Sequence, residues 1–249
     1  MEQKVNALML RAADYKENDK ILTLLTAELG KITVGIRGVK KAGAKLKFAV
    51  QPFCFAEYML VKRGDKYTVT GCSETESFYD LRTDIMKFYA ASAAAEAALA
   101  LTYEGDECRE IFRALIDAYT EMCSGNECSA LIRFLVCALG GSGYALSAEH
   151  CPRCGKDLLL SDSLRFDMPS GAFSCSSCGD GLGASRVTLN VIRRAQGKSF
   201  RPDLITADGM KRALRLLREY FSYKTDGRLN ALEEYIRLFS ASTDGQTAQ

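Results

Sequence analysis

The chain has 249 residues, of which 47% are hydrophobic, and its 33 Lys and Arg against 31 Asp and Glu leave a formal net charge of +2. This composition argues against a disordered chain and predicts one large or two to three small domains with real cores. No apolar signal stretch follows the N-terminus, and the longest apolar segment, around residues 90–101, is interrupted by Glu96, which argues against secretion and a membrane span. Ten cysteines then fit a reducing cytoplasm, and we expect a cytoplasmic protein.

Residues 1–80 are predicted to form an all-β domain. Five segments of strand length carry β-branched or aromatic residues, namely residues 5–11, 20–26, 31–37, 53–62 and 66–72. The sequence Arg63-Gly-Asp65 between the last two is a hairpin signal. Five short strands indicate a small closed barrel, for which the oligonucleotide-binding (OB) fold is the commonest candidate. Residues 20–26 also fit a helix, because their leucines suit both periodicities.

From residue 81 the pattern becomes helical, so the fold class is α+β. Helices are predicted at residues 82–102, 107–122, 127–139, 187–195, 207–222 and 228–239. The helical domain therefore spans residues 81–240 and contains an insertion at residues 148–183. Residues 241–249 are small and polar, and we expect a disordered tail there.

The insertion carries two cysteine pairs, Cys151-Pro-Arg-Cys154 and Cys175-Ser-Ser-Cys178, separated by 20 residues. Each C-x2-C knuckle can present two thiolates, and this spacing predicts a tetrahedral four-cysteine site for one zinc ion. A shell filled by four thiolates leaves no open position for an activated water, so the predicted role is structural. The alternative, four unrelated thiols, is disfavoured by the matched spacing.

Two basic regions flank an acidic middle. Residues 1–80 hold 13 Lys and Arg against 10 Asp and Glu, residues 81–150 hold 5 against 10, and residues 151–249 hold 15 against 11. Such asymmetry is typical of proteins with a polyanionic partner. The candidate phosphate contacts in the N-terminal region are Arg11, Arg37, Lys40, Lys41, Lys45 and Lys47. Those in the C-terminal region are Arg193, Arg194, Lys211, Arg215 and Arg218. The simpler interpretations are that the N-terminal cations belong to a solvated loop and that the C-terminal cations form the charged face of an ordinary amphipathic helix.

Aromatic residues and enzyme motifs add less. Six aromatic side chains in the barrel region could stack nucleic-acid bases, although most are expected in the core: Tyr15, Phe48, Phe53, Phe55, Tyr58 and Tyr67. The sequence contains no P-loop, no G-x-S-x-G and no H-E-x-x-H motif. We therefore expect a protein that is not an enzyme and has no catalytic residues.

Four stretches are specific in combination. Residues 7–11 (ALMLR) lead into residues 14–22 (DYKENDKIL), residues 29–41 read LGKITVGIRGVKK, and residues 46–53 read LKFAVQPF. Residues 140–144 then precede the first cysteine knuckle. With these elements, residues 1–240 resemble the RecO family of bacterial DNA repair and recombination mediators.

The resemblance implies an OB fold, a helical domain with a zinc-bearing insertion, binding of single- and double-stranded DNA, and annealing of complementary strands. It also implies action in the RecF pathway at the nucleoid, with RecR and with the acidic C-terminal tail of single-stranded-DNA-binding protein, to help load RecA. Some family members lack the four cysteines, so the metal is not expected to be needed for annealing.

Other classes stay open at this point. An RNA-binding OB-fold and zinc-ribbon module would prefer structured RNA over single-stranded DNA. A protein-interaction scaffold would use its basic regions to dock acidic partners and would bind no nucleic acid at low salt. A metal-dependent hydrolase would require turnover that no motif predicts.

Overall fold

Five strands close into a barrel at the N-terminal end of the chain, with four antiparallel pairs and one parallel pair. The computed structural model describes residues 2–161, 163–197, 200 and 205–246. The strands are β1 (Glu2–Tyr15), β2 (Asp19–Thr26), β3 (Gly30–Ile36), β4 (Phe55–Arg63) and β5 (Lys66–Glu76). Their order is β1-β2-β3-β5-β4, and the parallel β3–β5 pair closes the barrel. The predicted five-stranded OB barrel is confirmed.

The long strand β1 joins the two halves of the barrel. Its first half, from Glu2 to Leu8, pairs with β4, and its second half, as far as Tyr15, pairs with β2. The register shifts between Met9 and Arg11, a bulge that bends the strand and lets one strand serve both neighbours. The interior is filled by alternating side chains such as Leu22 and Val34.

Strand β2 explains why residues 20–26 also looked helical. Leu22 and Leu24 point into the barrel core, whereas Leu25 packs into the core of the helical domain on the other side. Because both faces of the strand are covered, the polar positions that would mark a strand by alternation are missing. The segment is a strand despite its helical pattern.

The helical domain follows the barrel directly. Its first helices are α1 (Asp80–Thr83), α2 (Ile85–Leu101), α3 (Arg109–Cys123) and α4 (Glu127–Gly141). Those after the insertion are α5 (Arg186–Gln196), α6 (Ala207–Thr225) and α7 (Asn230–Gln246). Residues 82–102, predicted as one helix, form two, because Asp84 adopts extended backbone and its side chain accepts hydrogen bonds from the N–H groups of Met86 and Lys87 (2.8 and 3.0 Å).

Helix α2 lies at the centre of the bundle. Seven of its alanines are buried on all sides, which lets α3, α4 and α7 pack closely around it. Helix α7 continues to Gln246, into the segment predicted as a disordered tail, and residues 247–249 lie outside the described residues. Within the part of the chain that the structure describes, no helix is long and apolar enough to cross a membrane.

The insertion forms a small three-stranded sheet. Its strands are β6 (Leu164–Asp167), β7 (Ala172–Cys175) and β8 (Leu182–Ala184), in the order β7-β6-β8. The rings of Phe166 and Phe173 are fully buried with centroids 4.8 Å apart, and Phe166 lies 5.5 Å from the ring of Tyr220 in α6. These contacts attach the sheet to the helices.

The barrel and the helices meet at the loop between α2 and α3. Backbone N–H groups of Lys31, Gly105 and Cys108 donate hydrogen bonds to the carbonyls of Tyr103 (3.2 Å), Leu29 (3.3 Å) and Ala27 (3.3 Å). The Lys31 ammonium donates to the Leu99 carbonyl at 2.9 Å. The Lys31 side chain therefore helps to hold the barrel and the helical domain together.

Candidate nucleic-acid groove and metal centre

A cavity of about 1040 Å³ lies on the outer face of the barrel, and we call it the groove. Its walls come from the β1–β2 turn and the β4–β5 hairpin, and Glu104 and Gly105 of the α2–α3 loop complete it. Thr33, Gly35 and Thr68 lie on the neighbouring strands β3 and β5, where they contribute short side chains to the lining, and we call this part of the groove its floor.

The lining of the groove carries more positive than negative side chains. It includes three acids, Asp19, Asp65 and Glu104. It includes five cations, Lys16, Lys20, Arg37, Lys62 and Lys66. Because three separate segments bring these cations to one concave surface, their fields add there, and the groove suits a polyanion better than the near-neutral net charge indicates.

A second cavity of about 500 Å³ extends the groove around the β1–β2 turn. Lys16 and Arg37 line both cavities, and Lys41 lines the second. The loop after β3 is held against this turn, because the Gly38 N–H donates to Asp19 Oδ1 (2.8 Å) and the Lys40 N–H donates to the Asn18 carbonyl (3.1 Å). Cations, with the acids Glu17 and Asp19 among them, therefore line both cavities from the β4–β5 hairpin to Lys41, and we call this surface the basic path.

One carboxylate holds two of the neighbouring cations. Asp14 accepts hydrogen bonds from Lys20 Nζ at 2.7 Å and from Lys40 Nζ at 2.9 Å. The hydrogen bond with Lys20, then that with Lys40, lowers the pKa of Asp14 to about 2. Asp14 therefore stays ionised at neutral pH and competes with any phosphate for these two lysines.

The four cysteines of the insertion converge on one point. All four Sγ atoms lie within 4.8 Å of one another, and Sγ of Cys175 lies 3.7 Å from those of Cys151 and Cys154. Four sulfurs placed about 2.3 Å from one ion at tetrahedral angles are about 3.8 Å apart, so the donor set and its spacing fit a tetrahedral metal ion. This cluster, completed by Cys178, could hold one metal ion, as its sequence spacing indicates.

The knuckles are stabilised by the backbone around them. Gly155 adopts φ +72°, and its N–H donates to the Cys151 carbonyl at 2.9 Å, while the Gly179 N–H donates to the Cys175 carbonyl at 3.1 Å. Burial raises the pKa of the Cys151 thiol, but hydrogen bonds from backbone N–H groups outweigh it and lower the pKa to about 6. The backbone around Cys151 therefore favours its thiolate, the form that a metal binds, whereas the neighbouring thiols of Cys175 and Cys154 raise the pKa of Cys178 to about 12.

Two cationic side chains of the helices form hydrogen bonds with the insertion. Arg193 of α5 donates to Glu149 and, through Nη1, to Asp157 Oδ1 at 2.9 Å. Lys224 of α6 donates to the Pro169 carbonyl at 2.6 Å. These contacts position the insertion on the bundle.

Comparison with known proteins places the chain. A model of the N-terminal part of recombination protein O matches residues 1–78, and a model of its C-terminal part matches residues 82–233. The chain belongs to the RecO family. Three relatives named DNA repair protein RecO illustrate the similarity. That of Desulforamulus reducens is 28% identical over 246 residues (96% of each chain), and that of Myxococcus xanthus is 27% identical over 235 residues (92% of this chain, 94% of the relative). That of Pelotomaculum thermopropionicum is 34% identical over 176 residues (70% and 68%).

Within this RecO-family structure, the N-terminal candidates divide into three sets. Arg37 and Lys41 line the basic path, whereas Lys40 is paired with Asp14. Arg11 and Lys45 are exposed outside both cavities, and Lys47 donates to the Ala42 carbonyl at 3.0 Å. The groove thus uses part of the predicted cluster.

Four cations of the groove lining are not among the residues predicted from the sequence, namely Lys16, Lys20, Lys62 and Lys66. They flank the β1–β2 and β4–β5 turns. In an OB fold these two loops border the binding face, so lysines beside the predicted Arg63-Gly-Asp65 hairpin were a usable signal.

The C-terminal candidates lie on α5 and α6, away from the groove lining. Arg193 is engaged by two carboxylates, and Arg194 donates to Asn190 at 3.2 Å. Arg218 lies 3.5 Å from Glu219, Arg215 is exposed, and Lys211 is half-buried. These residues form no single concave surface with the N-terminal set.

Proposed function

We propose that this protein is a DNA-binding recombination mediator that holds a single strand by its phosphates in the groove and anneals complementary strands without hydrolysing a nucleotide. The observation that carries the proposal is the convergence of Lys16, Lys20, Arg37, Lys62 and Lys66 on one concave face. Family membership supports the same role, since relatives are named DNA repair proteins.

Annealing requires neutralised phosphates and exposed base edges, and it requires no covalent chemistry. Cations along the groove would release counterions from a bound strand, which lowers the repulsion met by a second strand. Contacts to phosphate carry no sequence information and leave base edges able to pair. The groove can therefore act on any sequence and needs no catalytic residue. Arg215 and Arg218 of α6 are the second proposed phosphate surface.

The direct test is annealing of two complementary labelled oligonucleotides by the purified protein, without nucleotide, over a series of salt concentrations. We expect acceleration that weakens as salt rises. The variant Arg37→Ala/Lys62→Ala/Lys66→Ala should bind a single strand more weakly. It should also lower the slope of log affinity against log salt by about 2, at about 0.7 for each lost phosphate contact.

A matched control removes the same charge elsewhere. Lys4, Arg113 and Arg237 are exposed and outside both cavities of the basic path, and Lys4→Ala/Arg113→Ala/Arg237→Ala loses three positive charges as well. This control should keep the wild-type slope. Equal losses in both triple variants would assign the effect to net charge and contradict the groove. Tighter binding of structured RNA than of single-stranded DNA would favour the RNA-binding class.

We propose zinc as the metal of the four-cysteine cluster. Thiolate donors in tetrahedral geometry select zinc among the common divalent ions of cells, and four of them complete its shell. Bound zinc would cross-link the two knuckles, and its four thiolate ligands would leave no coordination position open. The contacts of Arg193 and Lys224 hold the insertion against α5 and α6. A closed metal shell in an insertion held in this way indicates a structural role for the zinc.

The family also supports partners for this mediator. We propose that it acts at the bacterial nucleoid with RecR and with the acidic tail of single-stranded-DNA-binding protein, and so helps load RecA onto covered DNA. Co-elution with RecR on size exclusion and a change in fluorescence anisotropy of a labelled acidic tail peptide test the two contacts. Absence of both, with annealing intact, would restrict the protein to annealing alone.

A further inference from the structure

The structure separates the aromatic residues of the barrel by their position. Tyr58 is fully buried with its hydroxyl donating to the Ala49 carbonyl at 3.0 Å, and Phe53 is buried against the helices. Phe48 and Phe55 are half-buried and lie outside the groove lining. The two that line the groove are Tyr15 and Tyr67.

These two tyrosines enter the groove from different walls. Tyr15 ends β1, beside the β1–β2 turn, and 49% of it is exposed. Tyr67 is half-buried near the start of β5, where it lies opposite Lys62 of β4 and beside Val34 of β3. The groove floor around Gly35 therefore has the ring of Tyr15 on the β1–β2 side and the ring of Tyr67 on the β4–β5 side.

A lysine covers each ring. Lys16 Nζ lies 5.4 Å from the ring centroid of Tyr15, and Lys62 Nζ lies 5.2 Å from that of Tyr67. Both distances are within the range of a cation–π contact, so one face of each ring is occupied by an ammonium group in the free protein. Both lysines also line the groove, where a bound strand would bring phosphates.

We propose that Tyr15 and Tyr67 are base-stacking residues that make the groove select unpaired strands, with Lys16 and Lys62 leaving the rings for phosphates as bases stack. This inference rests on the proposed function. An unpaired base can offer an open π face, whereas a base inside a duplex is covered on both faces by its neighbours. In this exchange each lysine gives up its cation–π contact and gains an ionic contact with a phosphate, so it has an electron-rich partner in both states.

The test compares an oligo-dT strand with an abasic strand of the same length, because the abasic strand has the phosphates and lacks the bases. Wild type should bind oligo-dT more tightly. Tyr15→Leu and Tyr67→Leu should each weaken binding of oligo-dT roughly tenfold and leave binding of the abasic strand and of duplex unchanged. Tyr15→Phe and Tyr67→Phe keep the ring and should bind as wild type does. Retained binding of the abasic strand and of duplex by the leucine variants shows that those variants fold.

Tyr79 supplies a matched control. It is 63% exposed and carries Arg82 over its ring at 5.3 Å, but it lies outside the groove lining. Tyr79→Leu should therefore leave every affinity unchanged.

The outcomes separate the inference from the function on which it rests. If the leucine variants bind oligo-dT as wild type does, or lose affinity equally for the abasic strand and duplex, stacking is overturned and phosphate binding in the groove still stands. If wild type binds none of these nucleic acids at low salt, both the proposed function and the inference are overturned.

Discussion

At the scale of single residues, Asp14 decides how much positive charge the barrel offers. It holds both Lys20 and Lys40, and its pKa of about 2 means that these ion pairs are complete above about pH 4 and are lost only as the pH falls toward 2. At neutral pH the two lysines are therefore only partly available to phosphates.

Replacing Asp14 should strengthen DNA binding. Asp14→Asn removes one negative charge and releases Lys20 and Lys40, so the slope of log affinity against log salt should steepen by about 1. Fluorescence anisotropy of a single strand over a salt series measures both quantities. Glu57→Gln releases Lys4 outside the groove and should leave the slope unchanged. A slope unchanged in Asp14→Asn would mean that neither released lysine meets a phosphate.

At the scale of elements, a half-buried acid contacts the first turn of helix α7. Glu96 of α2 is half-buried, and its Oε2 accepts a hydrogen bond from the Ala231 N–H at 3.0 Å, in the first turn of α7. Burial raises the pKa of Glu96, although backbone N–H groups of Ala231 and Asn230 oppose the shift. The carboxylate caps the helix at some cost in desolvation.

This acid predicts a pH dependence with a definite sign. Since its native pKa is raised above the ordinary value of 4.5, the native state binds more protons, and the free energy of unfolding falls as the pH rises from 4.5 through the native pKa. Glu96→Gln keeps an acceptor and should abolish this dependence, whereas Glu96→Ala should lower the free energy of unfolding by about 1 kcal/mol. Urea unfolding at a series of pH values measures both. An identical pH profile in Glu96→Gln and wild type would exclude Glu96 as its source.

The four-cysteine cluster should matter to the insertion and not to the barrel. Cys154→Ser should reduce the content of the proposed zinc below one ion per chain and make residues 148–183 sensitive to protease, because the metal would no longer link the two knuckles through four thiolates. The annealing rate should be retained. Cys137→Ser, which changes an exposed cysteine outside the cluster, should keep full zinc content. Loss of annealing in the zinc-poor variant would link the metal to DNA handling.

At the scale of the whole molecule, Gly30 controls the joint between barrel and helices. It adopts φ +65°, and a Cβ there would lie 2.3 Å from the Asp106 carbonyl oxygen and 2.6 Å from that of Tyr103. An alanine would be strained by the left-handed backbone conformation, and its methyl group would also displace the α2–α3 loop.

Gly30→Ala should therefore lower the free energy of unfolding by about 3 kcal/mol and weaken DNA binding, since the displaced loop forms part of the groove. Gly64→Ala isolates the backbone cost, because Gly64 has φ +58° and nothing within 4 Å of its added Cβ; we expect a loss of about 1 kcal/mol. Chemical denaturation compares the two. Equal losses would show that the joint accommodates the methyl group.

What could be predicted from the sequence depended on how local each signal is. The four cysteines lie in two short knuckles, so spacing alone identified the cluster. The groove is assembled by the β3–β5 closure of the barrel, which brings Lys16 and Lys66 to one face from distant positions. The sequence predicts Arg193 as a phosphate contact, but it does not show that two carboxylates engage this side chain, because they lie 44 and 36 residues away and only the fold brings them together.

The joint between the halves does not use the side chain of Glu104. Three of its hydrogen bonds join main-chain atoms of residues 27–31 to main-chain atoms of the α2–α3 loop, and the Lys31 ammonium adds a fourth. Glu104 nevertheless reaches the groove. A single codon change, Glu104→Lys, would thus invert a charge in the groove lining while the main-chain hydrogen bonds between the two halves are kept, so the charge of the groove can be altered at this position without disturbing the joint.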